Sequence, residues 1–191
     1  MREKTITYLD KAGRKECVAC LAAAARRAKE LGLTHAVVAS SSGRTALELA
    51  KALRKAGSDA AVIGVAYAAN FQKKWGAPEA RFVRPGEKLG VRIICGTHAL
   101  GGVNGAIRDK FGCATPTSLI THAFYTFGQG MKVAVEVALM AADQCLLPTD
   151  REVLALGGTG EGADTALVLT PACAGEFFKL KIHEVVCMPR G

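Results

Sequence analysis

The stretch Ser40-Ser41-Ser42-Gly43-Arg44-Thr45-Ala46 lies between a short apolar run at residues 36–39 and a segment of helical periodicity at residues 45–56. A strand that enters a helix through serines and a glycine leaves backbone N–H groups free at the helix N-terminus. With the helix dipole and the Arg44 guanidinium, these groups are typical of a phosphate site. The stretch therefore predicts an α/β protein with an anion pocket at this loop.

The same loop is open to an interpretation without any ligand. A turn whose serine or threonine caps the following helix has a similar sequence. A second glycine-rich loop, Gly157-Gly158-Thr159-Gly160-Glu161-Gly162-Ala163-Asp164-Thr165, favours the ligand, because it also follows a strand-like run. Parallel sheets bind ligands in the crevice beyond the carboxyl ends of their strands. For this second loop, a tight β-turn connection is the alternative.

Length and composition predict a single domain over residues 1–191. A chain of 191 residues, half of them hydrophobic and only 6% aromatic, can bury an α/β core without disulfides or metals. The formal net charge of +8 favours an acidic partner, such as a phosphorylated ligand. Because the basic residues are dispersed and do not alternate with aromatic residues, nucleic-acid binding is not expected.

Seven cysteines and the absence of a signal peptide predict a reduced, cytoplasmic protein. No uncharged apolar run approaches the length of about 18 residues that a membrane span needs, so no membrane partner is expected. Cys17 and Cys20 have the spacing of a redox or zinc motif, but they fall on the apolar stripe of a predicted helix. Core packing is the favoured interpretation for both thiols.

Periodicity and turn residues predict the order of the elements. The segment from Cys17 to Leu31 is expected to form an amphipathic helix that ends at Gly32. Residues 68–90 are expected to form a loop with short helical pieces, and residues 117–127 and 131–145 helices. The alternation at residues 133–137 leaves a strand open there. The predicted strands are at residues 36–39, 60–65, 91–95, 153–156 and 166–169, with an edge-type strand at 180–187 and a strand or extended arm at 5–9.

The connection between the fourth and fifth predicted strands is too short for a helical crossover. It should therefore reverse the chain and make the fifth strand antiparallel to its neighbour.

The run from Leu31 through Ser42-Gly43-Arg44-Thr45-Ala46 resembles the C-terminal domain of pyruvate kinase, in which a similar loop binds the phosphates of a sugar bisphosphate. Most of the chain is similar to a family of stand-alone archaeal and bacterial proteins with that fold. The motifs that carry this similarity are Thr97-His98, Val135-Glu136, Met140-Ala141-Ala142-Asp143, Gly157-Gly158, Gly162-Ala163-Asp164-Thr165-Ala166 and Cys187-Met188-Pro189-Arg190.

The resemblance implies a three-layer α/β/α sandwich on a mixed five-stranded sheet with one antiparallel strand. It implies no kinase activity, because the family lacks the barrel that carries the active site of pyruvate kinase. Members resemble binders of flavin mononucleotide (FMN), which makes FMN the expected cofactor. The reaction, if there is one, does not follow from the resemblance.

The expected phosphate ligands are the N–H groups of residues 42–45 and the hydroxyls of Ser41, Ser42 and Thr45. The second loop is expected to complete this cradle or to bind the ribityl chain. Tyr67, with Asn70 and Phe71, is expected to cover the ligand. The full predicted ligand set is Ser41, Ser42, Gly43, Arg44, Thr45, Tyr67, Thr97, His98, Gly158, Thr159, Gly160, Asp164 and Thr165.

His98, at the end of the third predicted strand, is expected to project into the same crevice and to contact a flavin edge or transfer protons. A structural, hydrogen-bonded histidine is the alternative.

Three functions stay open: an FMN-binding protein, a regulatory module that senses a sugar phosphate without redox chemistry, and an enzyme that uses the bound flavin. Exposed edge strands and basic faces leave a homo-oligomer open. No metal site is expected.

Overall fold

The computed structural model describes residues 3–190, whose strands form a single mixed sheet of seven strands. The strands are β1 Thr7–Leu9, β2 His35–Ala39, β3 Ala61–Ala66, β4 Val91–Cys95, β5 Val153–Gly157, β6 Thr165–Thr170 and β7 Lys181–Pro189. The α-helices are α1 Cys17–Leu31, α2 Arg44–Lys55, α3 Ala69–Trp75, α4 Ala80–Glu87, α5 Gly102–Phe111, α6 Pro116–Tyr125 and α7 Gln129–Asp143. Short 3-10 helices occupy Arg14–Glu16 and Ala174–Lys179.

The strand order is β1-β7-β6-β5-β2-β3-β4, and β6 is antiparallel to both of its neighbours. All other neighbouring strands are parallel. The predicted chain reversal between the fourth and fifth predicted strands is therefore confirmed. The count of five strands is wrong, because β1 and β7 extend the sheet beyond β6.

The expectation that residues 180–187 form an edge-type strand is confirmed for most of β7, because residues 181–186 pair only with β6 among residues 3–190. The short strand β1 covers the end of β7 and pairs with it in parallel, with Thr7 opposite Cys187 and Leu9 opposite Pro189. Leu9 is buried, and its carbonyl accepts a hydrogen bond from the Arg190 N–H at 3.1 Å. The exposed, polar start of β7 agrees with its position at the edge.

Helices cover both faces of the sheet, in line with the expected layering. In β2, Ala36 and Val38 pack into one apolar cluster with α1 and α2, whereas Val37 packs into the other with α7. A strand covered on both faces is apolar at every position, which explains the continuous run at residues 36–39. The stripe on α1 is buried as predicted except for Leu31, which is exposed beside the left-handed Gly32 that ends the helix.

Helix α7 resolves the ambiguity at residues 133–137 in favour of a helix. Its interior positions are almost all buried, and Gly157 of β5 lies directly under its backbone. A Cβ on Gly157 would collide with the carbonyl of Gly130 and with the N–H of Ala134. Small residues on both elements therefore let the helix lie close to the sheet.

The predicted helices at 117–127 and 131–145 correspond to α6 and α7 with shifted ends, and α3 and α4 are the short helical pieces expected within 68–90. Helix α5 has no counterpart among the predicted elements. No helix among residues 3–190 is both long enough and apolar enough to cross a bilayer.

Candidate functional site

The serine loop, residues 40–43, connects the end of β2 to the start of α2. Gly43 is the residue before the helix; its φ is 91° and it is buried against Val83 of α4. That left-handed conformation favours glycine, which explains why the loop places Gly at this position. The backbone carbonyl of Ser42 accepts a hydrogen bond from the Glu79 N–H at 2.9 Å, so α4 braces the loop.

Two serine hydroxyls of this region act inside the loop itself. Ser40 is buried and its Oγ accepts from the Ala46 N–H at 3.2 Å, while Ser42 Oγ accepts from the Arg44 N–H at 3.3 Å. Serine hydroxyls therefore satisfy two N–H groups of the first turn of α2, although the residue before the helix, Gly43, has no capping side chain. Within residues 3–190, no protein acceptor takes the backbone N–H groups of Ser41, Ser42, Gly43 and Thr45. These groups keep the capacity to bind an anion.

Arg44 lies at the start of α2 with its guanidinium already partnered. Its Nε is 3.1 Å from Glu48 Oε1, and its Nη1 is 3.7 Å from Glu161 of the second glycine-rich loop. Glu48 also receives two hydrogen bonds from Arg14, at 2.6 and 2.7 Å. The Arg14 pair is the main reason that the pKa of Glu48 lies below its usual range.

The two arginines and two glutamates of this network cancel in charge. Positive potential at the serine loop therefore comes from the helix start and its free N–H groups, not from an unopposed arginine. The pairing of Arg44 with Glu161 also brings the two loops together, which a sequence comparison of either loop could not show.

The glycine loop, residues 158–164, is closed by Asp164, whose side chain is 0% exposed. Asp164 Oδ2 accepts from the N–H groups of Thr159 and Gly13, both at 2.9 Å, and Oδ1 accepts from the Thr165 hydroxyl at 2.9 Å. Its own N–H donates to Gly157 at 3.0 Å. The polar atoms of Asp164 and the hydroxyl of Thr165, both in the predicted ligand set, are therefore engaged within the protein.

Backbone crowding accounts for Gly158, because a Cβ there would collide with the carbonyl of Gly162. The inner part of this loop is therefore a tight turn, as the alternative to a ligand site predicted. Its outer part faces solvent: Gly160 and Glu161 are exposed, and Thr159 is half-buried.

His98, after the end of β4, stacks against two aromatic side chains that follow β3. Its ring centroid is 5.9 Å from that of Tyr67 and 5.3 Å from that of Phe71. Trp75 completes this aromatic cluster, at 5.4 Å from Tyr67 and 4.9 Å from Phe71. The four rings pack against one another beside the carboxyl ends of β3 and β4. They do not surround an open aromatic pocket.

The hydrogen bonds of His98 indicate which ring nitrogen carries the proton. Its Nε2 accepts from the Ala68 N–H at 3.4 Å, which leaves the ring proton on Nδ1, 3.8 Å from Glu136 Oε2. Burial lowers the pKa of His98, Lys132 acts in the same direction, and Glu136 opposes both. His98 is consequently neutral at pH 7, and Thr97 beside it is exposed.

Sequence reasoning missed the pair behind His98. Glu136 of α7 is 4% exposed; its Oε1 accepts from the Leu100 N–H at 3.0 Å and its Oε2 lies 2.5 Å from Lys132 Nζ. The available signal was a Lys and a Glu four residues apart on an otherwise apolar helix. Asp143, at the far end of α7, accepts from the Ala174 N–H at 2.9 Å, so it acts at the helix end and not with Glu136.

A cavity of about 250 Å³ opens at the turn between α6 and α7. We call it the turn cavity. Its apolar wall consists of Phe127, Met188 and Pro189, and its polar groups include Thr159 and Arg190. Of the predicted ligand residues, only Thr159 lines it; the serine loop lies outside it.

The predicted residues thus form two groups on one edge of the sheet. The serine loop and the glycine loop meet through the Arg44–Glu161 pair, whereas Tyr67, Thr97 and His98 gather after β3 and β4. Strands β5, β2, β3 and β4 are consecutive and parallel in the sheet, so both groups lie along the same edge. No three metal-ligating side chains converge among residues 3–190.

No known protein-family model matches the sequence.

Proposed function

We propose that this protein binds FMN at the carboxyl edge of its sheet, with the phosphate on the serine loop, and that it has no kinase activity. The observation that carries the proposal is the set of free N–H groups at residues 41–43 and 45, held at the start of a 12-residue helix. A phosphate placed there would accept several hydrogen bonds in the favourable field of the helix dipole.

The family assignment is part of the same proposal. A serine-glycine loop between a parallel strand and a helix, a single antiparallel strand and helices on both faces agree with a pyruvate kinase C-terminal-domain-like fold. Strands β1 and β7 would then extend the five-stranded arrangement of that family at one edge.

The test is the visible absorption and flavin fluorescence of the purified protein, followed by titration with FMN. Saturable binding near one FMN per chain is expected. Ser42→Asp should weaken it by about a hundredfold or more, because a carboxylate beside the phosphate is repelled and competes for the free N–H groups. Thr34→Asp adds the same charge at the opposite end of β2 and should leave the affinity within about twofold. Equal affinities for the two variants would contradict the placement of the phosphate.

A second candidate function is a module that senses a sugar phosphate. The polar network of Arg14, Glu48, Arg44 and Glu161 beside the serine loop favours it, because alternating donors and acceptors suit sugar hydroxyls. A ligand raises the melting temperature only if it binds the folded state. Stabilisation by fructose 1,6-bisphosphate but not by FMN would select this function over the first.

A further inference from the structure

The turn cavity differs from the serine loop in its chemistry. Phe127, Met188 and Pro189 give it an apolar wall, and Phe127 is 56% exposed and packs against no other aromatic ring among residues 3–190. Arg190 and Thr159 supply polar groups at its rim. Mostly apolar lining with a few polar groups is typical of a site for an organic ring. At about 250 Å³ the cavity is smaller than the range of about 300–1,000 Å³ that whole ligands occupy, so it fits part of a ligand.

Two short segments of chain, each continued by an ion pair, lead from this cavity to the first two turns of α2. Ala12 lines the cavity, and the side chain of Arg14, two residues later, is bonded to Glu48. Thr159 also lines it, and the side chain of Glu161, two residues later, lies 3.7 Å from Arg44 Nη1. Two residues of chain span at most about 7 Å between Cα atoms, and each ion pair adds the length of its two side chains. The two segments are joined to each other by Asp164, which binds the N–H groups of Gly13 and Thr159.

We propose that the turn cavity holds the planar, apolar end of the phosphorylated ligand, while the serine loop holds its phosphate. This inference rests on the proposed function and adds the location of the ring. The ring lies against Phe127 and Met188, the Arg190 guanidinium faces its polar edge or stacks on it, and the linking chain of the ligand passes over the glycine loop at Gly160. The glycine loop thereby becomes the floor of the site instead of its phosphate cradle.

The experiment fills the cavity without deleting a native contact. Ala12 is exposed and lines the cavity, so Ala12→Trp places a ring in the space reserved for the ligand. Ala106→Trp, at an exposed position of α5, is the matched control. FMN affinity is measured by titration calorimetry for the wild type, both tryptophan variants and Ser42→Asp. We expect Ala12→Trp to weaken FMN binding by at least about tenfold and Ala106→Trp by less than about twofold.

Phe127→Ala provides a second measurement if Ala12→Trp folds poorly. Removing a ring that is more than half exposed should leave the melting temperature nearly unchanged and weaken FMN by about tenfold. Wild-type affinity in both Ala12→Trp and Phe127→Ala, together with loss of binding in Ser42→Asp, would overturn the ring location while the proposed function stands. Failure of the wild type to bind FMN would overturn the proposed function and this inference with it.

Discussion

At the scale of single residues, Asp164 shows how one buried carboxylate can define a loop. It accepts hydrogen bonds from two N–H groups that are far apart in sequence, Gly13 and Thr159, and from the Thr165 hydroxyl. Asp164→Asn replaces one oxygen by an NH2 group that cannot accept, which leaves at least one buried donor unpaired. We expect a loss of about 2–3 kcal/mol in the free energy of unfolding, measured with urea.

The control for Asp164 is Asp150→Asn, at an exposed position whose one side-chain partner within residues 3–190 is the neighbouring Arg151. The same chemical change there should leave the urea midpoint essentially where it is. If both variants unfolded at the wild-type midpoint, the loop would be held by its glycine backbone and not by the carboxylate.

His98 gives the protein a predictable response to acid. Because its pKa is lowered in the folded state, the unfolded chain binds more protons than the folded chain below the ordinary histidine pKa of about 6.5. The contribution of the neutral His98 side chain to the free energy of unfolding is therefore fully present above that pH. It is lost as the pH falls from about 6.5 through the folded-state pKa. His98→Gln should make the unfolding free energy less dependent on pH between about 7 and 5.

His35 contributes to the same acid dependence. Its pKa is also lowered, mainly by burial, so part of the acid dependence should persist in His98→Gln. A His98 imidazole resonance that titrated by NMR above the ordinary histidine pKa of about 6.5 would contradict the neutral, buried state described for His98.

At the scale of elements, the approach of α7 to β5 depends on glycine. Gly157→Ala places a methyl group against the backbone of α7, and neither backbone can move without opening the sheet core. We expect a loss of at least about 3 kcal/mol, seen as a lower melting temperature. Gly105→Ala in α5 meets no atom within 4 Å and should stabilise the protein by up to about 1 kcal/mol. A similar effect of both variants would show that the helix–sheet contact is loose.

The same elements show what the sequence could and could not predict. The run at residues 36–39, the glycine at the end of α1 and the short link between β5 and β6 predicted a buried strand, a helix end and a chain reversal, because each depends on local chemistry. The pairing of β1 with the end of β7 was not predictable in this way, since it joins residues 7–9 to residues 187–189, at opposite ends of the chain. The Lys132–Glu136 pair was visible in the sequence, but its partners, His98 and Leu100, follow another strand.

At the scale of the whole molecule, the formal net charge of +8 contrasts with the balanced charges at the crevice. Arg14, Glu48, Arg44 and Glu161 form a chain of ion pairs that spans from the loop after β1 to the glycine loop. On the proposed function, the overall positive charge would attract an anionic ligand towards the protein, whereas Glu48 and Glu161 would oppose its binding at the serine loop. The sequence of the serine loop predicted an Arg44 guanidinium available for a phosphate, but Glu48 and the distant Glu161 both pair with it.

If FMN binds as proposed, this competition predicts that Glu161 lowers its affinity. Glu161→Gln removes a negative charge 3.7 Å from Arg44 Nη1, so this end of the guanidinium can face a phosphate on the serine loop while Nε stays paired with Glu48. Because the Glu161 side chain is 73% exposed, the effect is moderated by solvent, and we expect FMN to bind about three- to tenfold more tightly at low salt. Glu152→Gln, just before β5 at the opposite end of the sheet, changes the net charge equally and should leave the affinity unchanged. Tighter binding in both variants would assign the effect to overall charge, whereas tighter binding in Glu161→Gln alone, fading as salt is raised, would show that Arg44 is the group released.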